Sequence, residues 1–147
     1  MTQRFDLSLT EARVALDAMK AEIERRGLSA VLAVGDSRGD LIILERMDGA
    51  PLPSITVATN KVYAAARERI TTREIGRNVR SPETGFDAAY WGDAKMALGW
   101  AGGEPVFHEG VVVGAVAVSG LDEDSDEELA RLGIAAIEAM SAVTAKG

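Results

Sequence analysis

The stretch GGEPVFHEGVVVGAVAVSG, from Gly102 to Gly120, predicts a β-hairpin at the centre of the fold. Its second half, Val111–Val118, is uncharged throughout and rich in valine, which is typical of a strand buried on both faces of a sheet. Glu109-Gly110 can supply a left-handed turn that pairs Pro105–Glu109 with this strand. A central strand of this kind needs helices on both sides, and the rest of the chain predicts them.

Capping signals predict two of the helices. Ser8 and Glu11 have the spacing of a capping box, and apolar residues recur at helical spacing from there to Gly27, which closes the helix. Thr71 and Glu74 repeat the capping spacing, so we expect a short helix that continues to about residue 79.

Two further helices are predicted from the residues at their starts. Ser54 follows a proline and is expected to cap a helix with an alanine-rich apolar stripe. The acidic run Asp122–Glu128 favours the positive end of a helix dipole, and Ser125 has the spacing of a cap. The same run could attract a divalent ion, but dipole capping explains it more simply, and we predict no metal site.

Apolar runs between the helices predict five strands, at Ala30–Val34, Leu41–Glu45, Met96–Trp100, Pro105–Glu109 and Val111–Val118. Hairpin connections between strands indicate an α/β protein of the α+β type, with a largely antiparallel five-stranded sheet and helices packed on its faces. At 147 residues, the chain is expected to form one domain over residues 1–147.

The net charge of −7 argues against nucleic acid or anionic membrane as a partner, because both select clustered basic residues. The absence of cysteine excludes disulfides, thiolate metal sites and thiol catalysis. No 18-residue apolar run occurs, and the first residues lack the pattern of a signal peptide. These features favour a cytoplasmic location.

His108 is the sole imidazole of the chain and the first candidate for a functional side chain. It could ligate a haem iron or move a proton near neutral pH, and it could equally be an exposed hairpin residue next to Glu109. Tyrosine and methionine can also hold haem, which leaves further possible ligands at Tyr63, Tyr90, Met47 and Met96.

A second candidate cluster lies where the predicted strand at Leu41–Glu45 ends and the next helix begins, a common position for a small-molecule site. Arg46 could hold a carboxylate or a haem propionate, with Asp48 and Ser54 nearby. Lys61 could act as a base if burial lowers its pKa, and Arg67 could pair with an acid. The alternative is a surface pair of Arg46 with Asp48 beside an ordinary helix cap.

Four segments resemble the haem-binding HbpS/GlcG family, which includes the C-terminal domain of PduO-type proteins. They are ERMDGAPLPSI at Glu45–Ile55, NKVYAAAR at Asn60–Arg67, GGEPV at Gly102–Val106 and VVVGAVAVSG at Val111–Gly120. Together with the helical opening of the chain they cover nearly its whole length. The resemblance implies a three-layer α/β/α domain that assembles as homo-oligomers, from dimers to octamers, and implies haem as a cofactor.

Two main hypotheses follow. In the first, the chain binds or handles haem, with a site drawn from Arg46, Asp48, Ser54, Arg67 and His108. In the second, it is a cofactor-independent enzyme that tautomerises, deaminates or hydrates a small unsaturated carboxylic acid in a catabolic pathway. Arg46 would then hold the carboxylate, and Lys61 or His108 would move the proton.

Both hypotheses require the segment after Glu45 and the end of the valine-rich strand to meet at one cavity. A third interpretation, compatible with either, is an assembly role for the aromatic segment Phe86–Trp100, because tryptophan and tyrosine are enriched at subunit contacts.

Overall fold

A computed structural model of the chain describes residues 1–84 and 93–146. The elements, in chain order, are α1 (Leu9–Arg25), β1 (Val31–Asp36), β2 (Leu41–Arg46), α2 (Ser54–Glu68), α3 (Thr72–Arg80), a 3₁₀ helix (Ala94–Ala97), β3 (Gly103–His108), β4 (Val111–Ser119) and α4 (Glu123–Lys146). The fold is therefore of the α+β type, as the sequence predicts. Among these residues, no helix is long and apolar enough to cross a membrane.

The described residues form one sheet of four strands in the order β2-β1-β4-β3, and every neighbouring pair is antiparallel. The prediction of a fifth strand at Met96–Trp100 is wrong. Ala94–Ala97 is a 3₁₀ helix, and the Asp93 side chain accepts a hydrogen bond from the Lys95 amide at its start. Gly99 then packs backbone to backbone against Gly76 of α3, which keeps this apolar run away from the sheet.

Alternate residues of the central strands face two apolar cores. Leu32 and Val34 of β1 lie with Val116 and Val118 of β4 in the core that α1 and α4 cover. The intervening residues of these strands face α2, whose side chains there include Ala58, Val62 and Ala65. The sheet is thus the middle of three layers, and small side chains let α2 approach it closely.

The hairpin predicted from Gly102–Gly120 is confirmed. Glu109 and Gly110 have φ angles of 49° and 78° and form the turn, and β4 is buried from Val112 to Ser119. The pairing shifts by one residue between Val106 and Phe107, so a bulge lies near the tip of the hairpin.

The predicted capping box of α1 is confirmed, and the Thr71 side chain accepts from the Glu74 amide at the start of α3. The predicted cap at Ser54 is wrong, because Pro53 precedes α2 in helical conformation and no side chain caps this end. At α4 the cap is Asp122, whose carboxylate accepts both the amide and the hydroxyl of Ser125. α4 begins at Glu123, earlier than the predicted cap at Ser125, so the residue that caps it is Asp122.

Candidate functional site

Lys61 is a fully buried charged side chain in the middle of α2, with 1% of its surface exposed. Its Nζ donates to the Val118 carbonyl oxygen at 2.8 Å and to Asp126 Oδ2 at 3.0 Å. Its third N–H has no acceptor among the residues that the structure describes. One lysine therefore joins α2 to β4 and α4. These two acceptors offset the cost of burying an ammonium group.

Gly102 and Gly103 make the space for this lysine. A Cβ at Gly102 would lie 2.8 Å from Lys61 Nζ, and a Cβ at Gly103 would lie 2.9 Å from Lys61 Cβ. Gly102 also has a φ angle of 117°, which side-chain-bearing residues rarely adopt. The Thr72 hydroxyl accepts from the Gly103 amide at 2.9 Å and fixes this turn against α3.

Burial shifts the ionisation of both partners toward the neutral forms. Burial raises the pKa of Asp126 to about 6, although the nearby Lys61 ammonium and its hydrogen bond oppose that rise. Burial also lowers the pKa of Lys61, against the opposing charge of Asp126. Asp126 Oδ1 accepts the Leu121 amide at 3.2 Å, so the carboxylate is positioned from two sides. The pair can exchange a proton at a lower cost than free side chains.

A cleft of about 470 Å³ opens beside this pair. We call it the lysine cleft, and its lining includes Ser54, Lys61, Trp100, Gly120, Glu123 and Asp126. Ser54 Oγ lies 3.3 Å from the position that a Cβ at Gly120 would take. Ser54, at the end of the segment after Glu45, and Gly120, just past the valine-rich strand, therefore meet at one cavity, which neither Arg46 nor His108 lines.

His108 lies in a different cleft, of about 330 Å³, which we call the histidine cleft. Six of its eleven lining residues are apolar, namely Phe5, Leu7, Val106, Phe107, Val113 and Ile137. Three acidic side chains, Asp6, Glu11 and Glu138, line it as well. The imidazole is exposed at the end of β3, which makes it accessible to a ligand.

Arg46 and Asp48 lie together in a third cleft, of about 400 Å³, beside Lys20 and Glu24. The two side chains form no ion pair with each other among the described residues. Arg67 is elsewhere again, stacked over the Tyr63 ring at 4.1 Å and donating to the Arg38 carbonyl oxygen at 2.9 Å. Within one chain, Arg46 and Arg67 are therefore separated from Lys61.

The structure thus brings Ser54 and Lys61 together, and places Arg46 with Asp48, Arg67 and His108 at three other positions. Of the alternative haem ligands, Tyr63 donates a hydrogen bond to Asp93, Met47 lines the Arg46 cleft and Met96 belongs to the 3₁₀ helix. Tyr90 lies outside the described residues. Among the residues that are described, no three His, Asp or Glu side chains group as a metal site.

Asp126 is the residue of the lysine cleft that sequence reasoning missed, together with Trp100 and Glu123. The acidic run was interpreted only as helix capping, although Asp126 reaches a lysine 65 positions earlier in the chain. Glu123 also turns inward and accepts the Ala101 amide at 2.9 Å, beside the glycine pair. The two consecutive glycines at positions 102 and 103 are the sequence feature that could have indicated a large side chain packed against this turn.

Comparison with known proteins agrees with the fold and covers most of the chain. Residues 7–135 match the model of a family described as haem degrading protein HbpS-like. An uncharacterized 15.0 kDa protein of the dhaT-dhaS intergenic region of Citrobacter freundii is 30% identical over 124 residues, which span 84% of this chain and 87% of that protein.

Two solved structures extend the comparison. A double mutant of HbpS from Streptomyces reticuli is 31% identical, with a TM-score of 0.80 over 92% of this chain and 89% of that one. A PduOC–haem complex, 23% identical, superimposes with a TM-score of 0.81 over 89% of this chain and 94% of that one, and at this identity the likeness concerns the fold alone. The match to the family model over residues 7–135 establishes that the chain belongs to the HbpS-like family.

Proposed function

We propose that this chain binds haem in the histidine cleft, with the His108 imidazole as a ligand of the iron. The observation that carries the proposal is the position of the chain's sole histidine on a cleft that also presents six apolar side chains. Such a lining suits the porphyrin ring, and a neutral imidazole is a common haem ligand. Membership of the HbpS-like family supports the same conclusion.

Two of the acidic side chains that line this cleft are already held by bonds within the chain. Asp6 accepts from Arg4 Nε at 2.7 Å and from the Ser37 amide at 2.9 Å. Glu11 accepts from the amide and hydroxyl of Ser8 at 2.7 and 3.0 Å. The charge of Asp6 is therefore partly neutralised by Arg4, and Glu11 is held in place by Ser8 at the start of α1. Bound haem would supply an iron centre for ligand binding or redox chemistry, while the protein supplies the imidazole and the apolar surroundings.

Haemin titration followed by absorbance in the Soret region tests this proposal. The wild type is expected to give a saturable Soret shift, which His108→Ala removes or moves to the spectrum of a different ligand set. Phe107→Ala should weaken binding because it removes a wall of the cleft, whereas Leu52→Ala is the matched control, since Leu52 is 72% exposed and lies outside it. A wild type without a shift, or a His108→Ala spectrum identical to that of the wild type, would contradict the assignment.

A second candidate function rests on the lysine cleft. We propose that it is an alternative catalytic site for proton transfer on a small unsaturated carboxylic acid, without a cofactor. The specific observation in its favour is the buried Lys61–Asp126 pair, whose pKa values are moved toward each other beside an open cleft. Because Arg46 is remote from this cleft, the Ser54 hydroxyl would hold the substrate carboxylate and Lys61 would move the proton.

Turnover of unsaturated acids, followed by the loss or shift of their ultraviolet absorbance, tests the second candidate. A positioned acid or base contributes roughly 10²- to 10⁴-fold to a rate, so Lys61→Met should lose about that factor. Lys20→Met serves as the control, because Lys20 is partly exposed and pairs with Glu45 away from this cleft. Thermal unfolding of Lys61→Met must first show a folded protein, and a folded variant with unchanged turnover would exclude Lys61 as the base.

We propose further that the chain assembles as a homo-oligomer. The large apolar side chain of Trp100, which is 57% exposed, supports this because such surfaces are often covered by a second subunit. The segment Phe86–Trp100 remains the proposed contact, although residues 85–92 lie outside the described ones. Sedimentation of the wild type and of Trp100→Ala tests this, and a monomeric wild type would contradict it.

A further inference from the structure

A cleft of about 370 Å³ at one end of the sheet gathers three arginines. The β1–β2 turn supplies Ser37 and Arg38, the end of α2 supplies Arg69, the hairpin supplies Phe107 and Val111, and the N-terminal segment supplies Arg4. We call it the arginine cleft. Phe107 lines this cleft and the histidine cleft, whereas His108 lines only the latter.

The charges of this cleft are largely unpaired within the chain. Elsewhere on the folded surface arginines form ion pairs, such as Arg73–Glu127 and Arg131–Glu104. Neither Arg38 nor Arg69 makes an ion pair with any described residue. Arg4 contacts Asp6 through Nε, and that carboxylate also accepts the Ser37 amide. Two of the three guanidinium groups therefore have no carboxylate partner among the described residues, and the third shares Asp6 with the Ser37 amide.

The backbone at Arg69 is also unusual. Arg69 follows the last residue of α2 with a φ angle of 62°, and its N–H donates to the Ala65 carbonyl oxygen at 2.9 Å. Glycine or asparagine is the usual residue at such a left-handed helix end, because a larger side chain adds strain there. A guanidinium is present at this cleft in spite of that strain.

The remaining lining supplies a free hydroxyl and an apolar wall. Ser37 Oγ is buried and has no hydrogen-bond partner among the described residues, an arrangement that costs free energy until an acceptor or donor reaches it. Phe107 and Val111 are 49% and 57% exposed, which is high for large apolar side chains. The cleft thus offers positive charge, one unused polar group and a hydrophobic contact.

We propose that the arginine cleft binds an oxyanion, a carboxylate or a phosphate, that is carried on an apolar body. Guanidinium groups match both oxyanions through paired N–H donors, and the apolar wall would contact the rest of the molecule. A chain of net charge −7 repels anions at long range, so such a ligand is bound only where basic side chains are gathered locally. This proposal is independent of haem binding and of catalysis at Lys61.

Titration with phenyl phosphate, benzoate and inorganic phosphate, followed by backbone amide NMR shifts, tests the proposal. Phenyl phosphate or benzoate should shift the amides of Ser37 and Val111 saturably, and the tighter of the two identifies the preferred oxyanion. Inorganic phosphate should bind more weakly than phenyl phosphate because it lacks the apolar body. Arg38→Gln and Arg69→Gln should each weaken the preferred probe by about tenfold, the effect of one lost charged hydrogen bond.

Arg77→Gln is the matched control, since Arg77 is an exposed arginine of α3 outside this cleft. Unchanged affinity in Arg77→Gln and in His108→Ala would support the site and separate it from the histidine cleft. Absence of saturable shifts for both aromatic probes would overturn the proposal. Equal weakening by Arg77→Gln would show only general attraction, and weakening by His108→Ala alone would place the probe in the histidine cleft, so both results would also overturn it.

Discussion

Loss of either member of the Lys61–Asp126 pair should remove a large part of the stability of this fold. At an effective dielectric constant of about 20, unit charges 3.0 Å apart attract each other by roughly 5.5 kcal/mol. Burial of both ions offsets most of that attraction, because each side chain is at most 5% exposed and has lost its hydration. Removing one partner leaves the other buried without compensation, and we expect Lys61→Met or Asp126→Asn to cost about 3 to 5 kcal/mol.

Urea denaturation of the two single variants and of the double variant measures this effect. The double variant should lose less than the sum of the two single losses, because it leaves no unpaired buried charge. The surface pair Lys20–Glu45 provides the control: its side chains are 40% and 30% exposed, and Lys20→Met should cost less than about 1 kcal/mol. Single losses as small as that of the control, or strict additivity in the double variant, would refute the reasoning from burial.

The remaining predictions concern acid titration and two glycines. The pKa of Asp126 rises from 3.8 to about 6 on folding, so its contribution to stability is fully present below pH 3.8 and is lost as the pH rises through about 6. The cost of Lys61→Met should therefore shrink between about pH 7 and pH 4, because a protonated Asp126 leaves no uncompensated charge in that variant, and a constant difference from the wild type in urea titrations would contradict this. Gly114→Ala should cost about 3 kcal/mol, because its Cβ would lie 2.6 Å from Leu7 Cδ1 and would meet the backbone at Gly35. Gly110→Ala should cost only about 1 kcal/mol, since nothing lies within 4 Å of its Cβ and only the φ angle of 78° opposes it, and thermal unfolding that ranks the two variants in the reverse order would count against this account.

Local signals predicted the parts of the fold that are determined by neighbouring residues. The capping box at Ser8 and Glu11 is complete within four positions, and the turn at Glu109-Gly110 lies between its two strands. The predicted strand at Met96–Trp100 is wrong because a tertiary contact, with a residue distant in the sequence, determines the conformation of this segment. An apolar run of this length fits a strand or a buried turn equally well, and the contact of Gly99 with Gly76 decides between them.

The candidate site was predictable only in part for the same reason. Lys61 was recognised as a possible base on the condition that burial lowers its pKa, and the structure meets that condition. Its partner Asp126 is 65 positions away and belongs to an acidic run that has a sufficient local explanation. Arg46 and His108 each have the right chemistry to bind a ligand. Their spacing in the sequence does not show which cleft each side chain lines, because that depends on how distant elements pack.

The fit of Gly102 and Gly103 over Lys61 also constrains how this protein can change over generations. A larger residue at either glycine is excluded while the lysine is present. Loss of the lysine alone leaves Asp126 as a buried carboxylate without its ion-pair partner. Substitutions at these four positions are therefore conditional on one another, and the order in which they arise decides whether each intermediate sequence survives. We expect lineages to keep the pair or to replace Lys61 and Asp126 together, while both glycines stay, because a Cβ at Gly102 would also meet the Val118 carbonyl oxygen and one at Gly103 would also meet Thr72.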